Sequence, residues 1–496
     1  MDSNQSDFTL SASDRRRFDA ALKRLLPGES IIDDADRLAV YESDALTAYR
    51  QVPWRVVIPD NITQVQNIMK LCARFQVPVV ARGAGTGLTG GAMPTGSGIV
   101  LSLAKFNSVL AVDRDNLTAR VEPGVTNLAI SEYVQPLGLY YAPDPSSQIA
   151  CTIGGNIAEN AGGVHCLKYG LTVHNVLQLK VVTPSGGLIT IGSTALDSSG
   201  YDLLAVMIGS EGMLGIVVEV TVKLLPIPQT ARLVMAAFDS VAQAGDAVAA
   251  IISQGIIPAG LEMMDAMATK AVEEFVKVGY PLDAAAVLLC EVDGSLDEVD
   301  GHMASLTELL QQQGACELRV AKDEQERQEL WRGRKSAFSA VGRIAPDYLC
   351  MDGTIPRRAL GEVLEEISEL ARAHDLLVAN VFHAGDGNLH PLILYDANNT
   401  DESGRAQRLG GKILELCVAR GGTITGEHGV GIEKIDQMCV QFSETEISQF
   451  HKLKASFDPQ GILNPGKAIP TLSRCREFSA MRAGNSESVV KRPLDS

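Results

Sequence analysis

Arg82-Gly-Ala-Gly-Thr-Gly-Leu-Thr-Gly-Gly91 follows the apolar run Val77-Pro-Val-Val-Ala81, and its reading decides the fold. Five glycines in ten residues leave little side chain to block a ligand, and glycine tolerates the positive φ that lets successive N–H groups converge on one anion. The stretch therefore reads as a phosphate or pyrophosphate cradle. Gly85-x-Gly87-x-x-Gly90 has the spacing of a dinucleotide fingerprint, with Asp113 at a plausible distance beyond. That fingerprint requires a helix opening at its last glycines. Here the chain continues through Pro94, Gly96 and Gly98 into Ile99-Val-Leu-Ser-Leu103, a predicted strand, and no helix fits between. The P-loop pattern also fails, because no Lys-Ser/Thr follows the glycines. A plain turn between two strands stays open at this point.

The 496 residues suffice for about three average domains of ~150 residues. Acids outnumber bases 60 to 43, a formal charge of −17, which argues against nucleic acid or an anionic membrane as the main partner. No apolar run reaches the ~18 residues of a spanning helix. The N-terminus is polar and acidic, without a signal-peptide pattern. The nine cysteines form no C-x-x-C pair, so the expectation is a reducing, cytoplasmic setting with no disulfide framework and no iron–sulfur or zinc-finger site in this chain.

Outward from the loop, residues 1–49 read as a disordered tip and an amphipathic helix over about 13–26. Val52 to Pro59 is a predicted strand, and Thr63 is expected to cap the next helix. This βαβ opening predicts a partly parallel sheet. Two more glycine clusters follow, Thr152 to His165 and Gly209-Ser-Glu-Gly-Met-Leu-Gly-Ile216, the latter ahead of a strand over 217–224. Three such segments suit one extended ligand held by backbone groups. Leu224-Leu-Pro-Ile-Pro228 marks a predicted domain boundary. Beyond it, strands are predicted at 232–238, 285–292, 316–320, 347–352 and 376–383. Helices are predicted near 240–253, 265–278, 296–312, 323–340 and 357–373. This is an α+β layer, an antiparallel sheet with helices on one face. A late helix over 447–457 precedes a loose tail.

A second constellation is Val378-Ala-Asn-Val-Phe-His383-Ala-Gly-Asp-Gly-Asn-Leu-His390-Pro-Leu-Ile-Leu394. Apolar stretches flank hairpin chemistry, so His383 and His390 would share one face about 5 Å apart. With Glu427 they make a two-histidine, one-carboxylate set of the kind that holds zinc with a position open for substrate. The same spacing fits two histidines bonded across a hairpin, with Glu427 paired to a base. It also fits an iron oxygenase site, against which the upstream glycine clusters argue. His428 adjoins Glu427, and on an extended chain the two side chains point to opposite faces. Arg334 lies in a basic run that could clamp a carboxylate or be a solvated helix face.

These motifs together resemble the FAD-linked oxidases of the vanillyl-alcohol-oxidase type, in the D-2-hydroxyacid dehydrogenase branch. The resemblance runs from about Leu38 to Leu472. It includes Gly154-Gly-Asn-x-x-x-Asn160-Ala-Gly-Gly163, Gly209-Ser-Glu-Gly-x-Leu-Gly215, Gly426-Glu-His-Gly429 and Asp458-Pro-x-Gly-Ile-Leu-Asn-Pro-Gly466 besides the two stretches above. It implies a two-lobed FAD-binding domain at 50–228, an α+β substrate domain at 229–427, a segment at 428–470 returning to the flavin, and a loose tail at 471–496. It implies FAD contacts at Arg82, Gly83, Ala84, Gly85, Thr86, Gly87 and Gly90. Further contacts are implied at Pro143, Gly154, Gly155, Asn160, Gly163, Glu211, Gly215, Ile216 and Asn464. The first loop has no histidine, so the FAD is expected to be non-covalent. Metal ligands are implied at His383, His390 and Glu427, with zinc as the expected ion, a base at His428 and a substrate-carboxylate clamp at Arg334. The resemblance implies oxidation of glycolate to glyoxylate; relatives that take longer diacids carry extra polar groups near Cys350 and Leu392, and the weakly polar or apolar side chains here tilt toward a small monoacid. D-lactate and D-2-hydroxyglutarate are alternatives, as is a non-catalytic flavin-carrying subunit. Electrons are expected to leave through an iron–sulfur subunit and a second flavin-binding subunit, or to a quinone, with the chain held through such partners at the inner face of the plasma membrane.

Overall fold

The computed structural model describes residues 10–195 and 200–484. The expected N-terminal tip and the last twelve residues of the tail lie outside the described residues. The first lobe is built on a four-stranded sheet in the order Ile31–Ile32, Arg55–Val57, Ile99–Ser102, Val79–Arg82. Its last three strands are parallel, as the βαβ reading requires. Helix Ile62–Phe75 buries Val65, Ile68, Met69 and Cys72 against it. Its cap is Asn61, not Thr63: the Asn61 carboxamide oxygen accepts from Gln64 N at 3.0 Å. An Asn two residues earlier in extended conformation reaches the free N–H groups of the first turn better than a threonine already inside the helix. The second lobe is a five-stranded antiparallel sheet running through Val109–Asp113, Thr118–Val121, Ile216–Lys223, Val176–Val182 and Leu188–Gly192.

The remaining chain forms a seven-stranded sheet, antiparallel at every paired edge. Its order is Glu317–Val320, Thr230–Phe238, Ala286–Gly294, Gly260–Asp265, Leu377–Phe382, Pro391–Tyr395, Asp347–Cys350. Helices cover both faces, not one. Val234, Ala236 and Phe238 pack into one core with helices Val241–Ser253 and Leu360–Ala373. Leu233, Met235 and Ala237 pack into a second core with helix Ala266–Val276. Burial on both sides explains why these strands are apolar without alternation. Strand Gly260–Asp265 and helix Thr400–Ala419, the longest described, have no counterpart in the sequence reading. The predicted helix over 323–340 is broken at Ser336 into Glu324–Lys335 and Ala337–Ala340.

Two expectations about the C-terminal part are corrected. Residues Leu472–Gly484 form a helix, where a loose tail was expected. Cys439 and Cys475 are disulfide-bonded, across 36 residues of sequence, where no disulfide was expected. Scanning for short cysteine spacings could not find a pair brought together only when the C-terminal helix folds back.

The first half of the chain meets the seven-stranded sheet at His165. Its Nδ1 lies 2.8 Å from Asp144 Oδ2 and its Nε2 3.6 Å from Glu291 Oε1. Glu291 also receives Trp331 Nε1 at 2.5 Å and Arg327 Nη1 at 2.6 Å. Burial alone would lower the His165 pKa, but Asp144 and then Glu291 outweigh it and push it up to about 10. A folded-state pKa above the ordinary value of about 6.5 means that the stabilisation is complete below that value and is lost as pH rises through about 10. His165→Gln should therefore lower the thermal midpoint clearly at pH 6 and little at pH 10; an equal loss at both would show that the charge of His165 is not what stabilises this junction.

Candidate active site

The glycine loop emerges from strand Val79–Arg82 and reaches Ile99 with no helix between, so its N–H groups are presented by turns. Gly85 has φ +74°, and a Cβ there would meet Arg82 Nη2 at 2.2 Å. A Cβ on Gly83 would lie 2.2 Å from Thr152 Oγ1. Thr152 caps helix Ile153–Glu159, accepting from Gly155 N, so the second glycine cluster opens as a helix whose N-terminus faces the loop. Packed strand ends and a helix start that tolerate no side chain are what a pyrophosphate-sized anion needs from backbone.

A cavity of about 420 Å³ runs from this loop to the hairpin residue His390. Of the residues expected to contact FAD, Arg82, Gly83, Ala84, Gly85, Thr86, Gly87, Gly154, Gly155, Glu211 and Gly215 line it. Gly90, Pro143, Asn160, Gly163, Ile216 and Asn464 do not. Their positions explain this. Asn160 ends the Ile153–Glu159 helix in left-handed conformation, its Oδ1 accepting from Val173 N. Gly163 packs on the Asp144 backbone and Gly90 on Ile432, while Ile216 is buried in its strand. Pro143 gives way to its neighbours Pro145, Ser146 and Ser147 as lining.

Asn464 acts from behind the wall. Its Nδ2 donates to Gly91 O at 3.0 Å and Glu211 O at 2.6 Å. Lys467 Nζ donates to Gly91 O at 2.9 Å and to the carbonyl of Met93. The Glu211 carboxylate accepts from the N–H groups of Val430 and Gly431, both at 2.8 Å. The glycine loop, the third glycine cluster, the turn after His428 and the C-terminal segment are thereby tied together. Burial, then the neighbouring Glu211, raises the Glu159 pKa well above the carboxylate range. Glu159 thus lines the cavity with its charged form disfavoured, at a place suited to phosphates.

At the other end stand His390, Glu427 and His428, with Phe338, Tyr348 and Lys335. His383 and His390 flank the hairpin turn and their rings lie 5.0 Å apart. Glu427 Oε1 sits between them, 3.2 Å from His383 Nε2 and 3.3 Å from His390 Nε2. Ligand atoms of the three lie within 4.8 Å of one another. Both ring nitrogens of His390 are buried without a hydrogen-bond partner, the condition of a side chain built to coordinate. The residues thus fit a divalent cation. Burial would raise the Glu427 pKa, but the His383 and His390 rings beside it hold it well below the carboxylate range. His383 shows the opposite shift: burial lowers it, yet Glu262 and Glu427 raise it well above normal. The same anionic surroundings that favour a proton on His383 favour a metal ion in its place.

His428 does not point away from Glu427. Residues 425–429 are a turn rather than a strand, so both side chains enter the cavity. The His428 ring stacks on His390 at 4.9 Å and 4°. Burial lowers its pKa to about 4 against the opposing pull of Asp352, so the imidazole is neutral at physiological pH and free to accept a proton.

Arg334 is displaced from its expected place. Its guanidinium pairs with Glu262 at 2.6 Å, the residue is 2% exposed, and it is not part of the cavity wall. A solvated helix face is equally wrong, because this last turn faces the sheet. Glu262 also holds His383 Nδ1 at 2.7 Å, fixing Nε2 as the nitrogen turned to Glu427. Cys350 and Leu392 pair across strands inside a core, away from the cavity. The sequence reading missed Glu262, which lies on an unpredicted strand, and Asp352, which carried no spacing signal.

Residues 227–468 match the family of FAD linked oxidases, C-terminal domain, and residues 53–192 match the FAD binding domain family. The glycolate oxidase subunit GlcD of Escherichia coli K12 is 58% identical over 96% of this chain and 95% of its own length. GlcD of Bacillus subtilis is 41% identical, covering 90% and 96%. The D-lactate dehydrogenase of Anaerostipes hadrus is 32% identical, covering 90% and 95%. Among solved structures, p-cresol methylhydroxylase with substrate bound superposes with a TM-score of 0.79 at 17% identity, over 94% of this chain and 98% of that one; that likeness is one of fold.

The glycine geometry is testable. Gly83→Ala should weaken FAD retention about tenfold or more, since accommodating a 2.2 Å overlap costs of order 1–3 kcal/mol, whereas Gly28→Ala, with nothing within 4 Å, should leave it unchanged. Titration of the apoprotein with FAD decides this; equal affinities in the two variants would remove the cradle assignment.

Proposed function

The chain belongs to the FAD-linked oxidases, and from that membership we propose that it oxidises glycolate to glyoxylate. The observation that carries this reading is the single cavity that joins a glycine-built anion cradle to His390, Glu427 and His428. The 58% identity to a glycolate oxidase subunit across nearly the whole of both chains supports the substrate. FAD, when bound non-covalently along the cavity, supplies an acceptor for the hydride from the substrate's C2. A divalent cation held by His383, His390 and Glu427 would acidify the substrate hydroxyl.

The chain's own residues do the rest. His428 is neutral and faces the cavity, so it can take the hydroxyl proton at a ring nitrogen as the carbonyl forms. The substrate carboxylate is drawn to the last turn of helix Glu324–Lys335. There Lys335 stands on the cavity wall. Phe338 and Tyr348 line this end of the cavity. Stacking of His428 on His390 fixes the base beside the metal set.

The subunit naming of the relatives supports a multi-subunit assembly, in which electrons pass on to an iron–sulfur subunit and a second flavin-binding subunit, or to a quinone. No described helix is long and apolar enough to cross a membrane, so any membrane association would run through those partners. A second reading is oxidation of D-lactate, favoured by relatives of that name at 32% identity.

Anaerobic titration of the flavoprotein with a panel of 2-hydroxy acids separates the readings: glycolate should bleach the flavin fastest, and preference for D-lactate would favour the second. His428→Ala should slow flavin reduction by about 10²- to 10⁴-fold with FAD still bound. Bleaching at the wild-type rate in rapid mixing would remove the base. His390→Ala should lose the metal, and an elemental analysis matching wild type would remove the cation from the site.

A further inference from the structure

We propose that Asp352 is the positioning residue that sets the metal ligand Glu427 and the base His428 in one geometry. Asp352 follows the edge strand Asp347–Cys350 and is completely buried. Its carboxylate collects a run of donors from a single turn. Thr425 Oγ1 donates to Oδ2 at 2.5 Å, Gly426 N at 3.0 Å and His428 N at 2.9 Å. Glu427 N donates to Oδ1 at 3.2 Å. His390 Nε2 lies 3.5 Å from Oδ1, and the buried Lys434 Nζ lies 3.8 Å from Oδ2.

Three successive N–H groups converging on one point make an anion nest. Such a nest beside a substrate site could serve as an oxyanion hole. Here it is filled from within the chain. The turn is therefore not available to the substrate's oxygens; its donors are spent on fixing its own shape. That shape is what matters, because the two side chains leaving adjacent residues of the turn must both enter the cavity, and an extended chain would send them apart. Asp352 holds residues 425–428 out of the extended conformation.

Asp352, His390 and His428 also have ligand atoms within 4.8 Å of one another, so a cation centred on Asp352 is the rival assignment. The donors already on Asp352 decide against it. Oδ2 accepts four hydrogen bonds, and the Glu427 N–H among them is shared with Oδ1, leaving little lone-pair density for a cation. Both ring nitrogens of His390 are free, and Glu427 is placed between the two hairpin histidines. Orienting groups behind a metal set are commonly worth about 10- to 100-fold in metal affinity.

This inference rests on the roles proposed above for Glu427 and His428, and the test keeps the two apart. Asp352→Asn keeps the size of the side chain but replaces an acceptor oxygen by a donor amide facing N–H groups. In competition with a chelator, Asp352→Asn should hold the metal about 10- to 100-fold more weakly than wild type, reach full stoichiometry at saturating metal, and retain its FAD. Flavin reduction by glycolate should be slowed, and the Asp352→Asn/His428→Ala double variant should be no slower than His428→Ala alone. Thr425→Val removes one donor without stranding the carboxylate and should show the same two losses in smaller degree, which covers the case in which Asp352→Asn fails to fold. Metal affinity and flavin reduction equal to wild type in Thr425→Val, or losses that multiply in the double variant, would overturn the proposal. Total loss of stoichiometry at saturating metal would make Asp352 a ligand instead. If His428→Ala alone reduced its flavin at the wild-type rate, the failure would lie in the base assignment, and the chelator competition would still judge Asp352.

Discussion

A carboxylate taken out of water must be met by donors or cations, and the catalytic end of this cavity withdraws three of them. Glu262 and Asp352 are buried, and Glu427 largely so, at the meeting point of the hairpin, the edge strand and the 425–428 turn. Each is satisfied differently. Glu262 is met by Arg334 and His383, Asp352 by the backbone of a turn, and Glu427 by two imidazoles. Buried ions contribute little net stability compared with apolar replacements, but removing one partner strands the other at great cost. The arrangement is thus rigid because each charge is held by partners that cannot leave. A site so constrained positions its histidines without needing substrate to do it, and preorganisation of this kind is where an active site gains most.

The two ends of the cavity solve opposite electrostatic problems. The glycine end suits negative charge, with backbone N–H groups, a helix start at Thr152 and a Glu159 whose charged form is disfavoured. The histidine end concentrates carboxylates around imidazoles, the setting that the proposed cation would need. The wall between them is continuous, so a flavin laid along it spans a gradient from one regime to the other.

Much of this could be read in the sequence, and the physical reason is locality. The glycine loop announced itself because strand, turn and strand are contiguous, and the absence of room for a helix between Gly91 and Ile99 was enough to reject the dinucleotide fingerprint. The hairpin histidines were legible because Ala-Gly-Asp-Gly-Asn fixes the turn that pairs them. What failed was non-local. Arg334 looked like a free cation because its partner Glu262 lies 72 positions earlier on a strand whose Met-rich sequence gave no pattern. Asp352 was invisible because a buried aspartate that anchors a distant turn has no spacing of its own. The opposed directions expected for Glu427 and His428 assumed an extended chain, and Asp352 is what makes that assumption fail. One-sided helix cover was assumed for the large sheet, although unbroken apolar strands such as Leu233 to Phe238 already call for cover on both faces.

The ties made by Asn464 and Lys467 have a consequence for how the molecule comes into being. Leu463 bridges to Val79 beside the first strand of the loop, and Asn464 and Lys467 grip Gly91 and Met93 from a point nearly 375 residues later. During synthesis the cradle emerges first, and the side chains that brace it follow only some 373 to 376 residues later. The N-terminal lobes can gather their own cores as they appear. The brace on the flavin cradle, however, is a contact of very high sequence separation, the kind that forms late and sets the pace of folding. Cofactor capture in its final form is therefore an event of the finished polypeptide, and a ribosome that stops short of Asn464 releases a chain with the cradle made but not clasped.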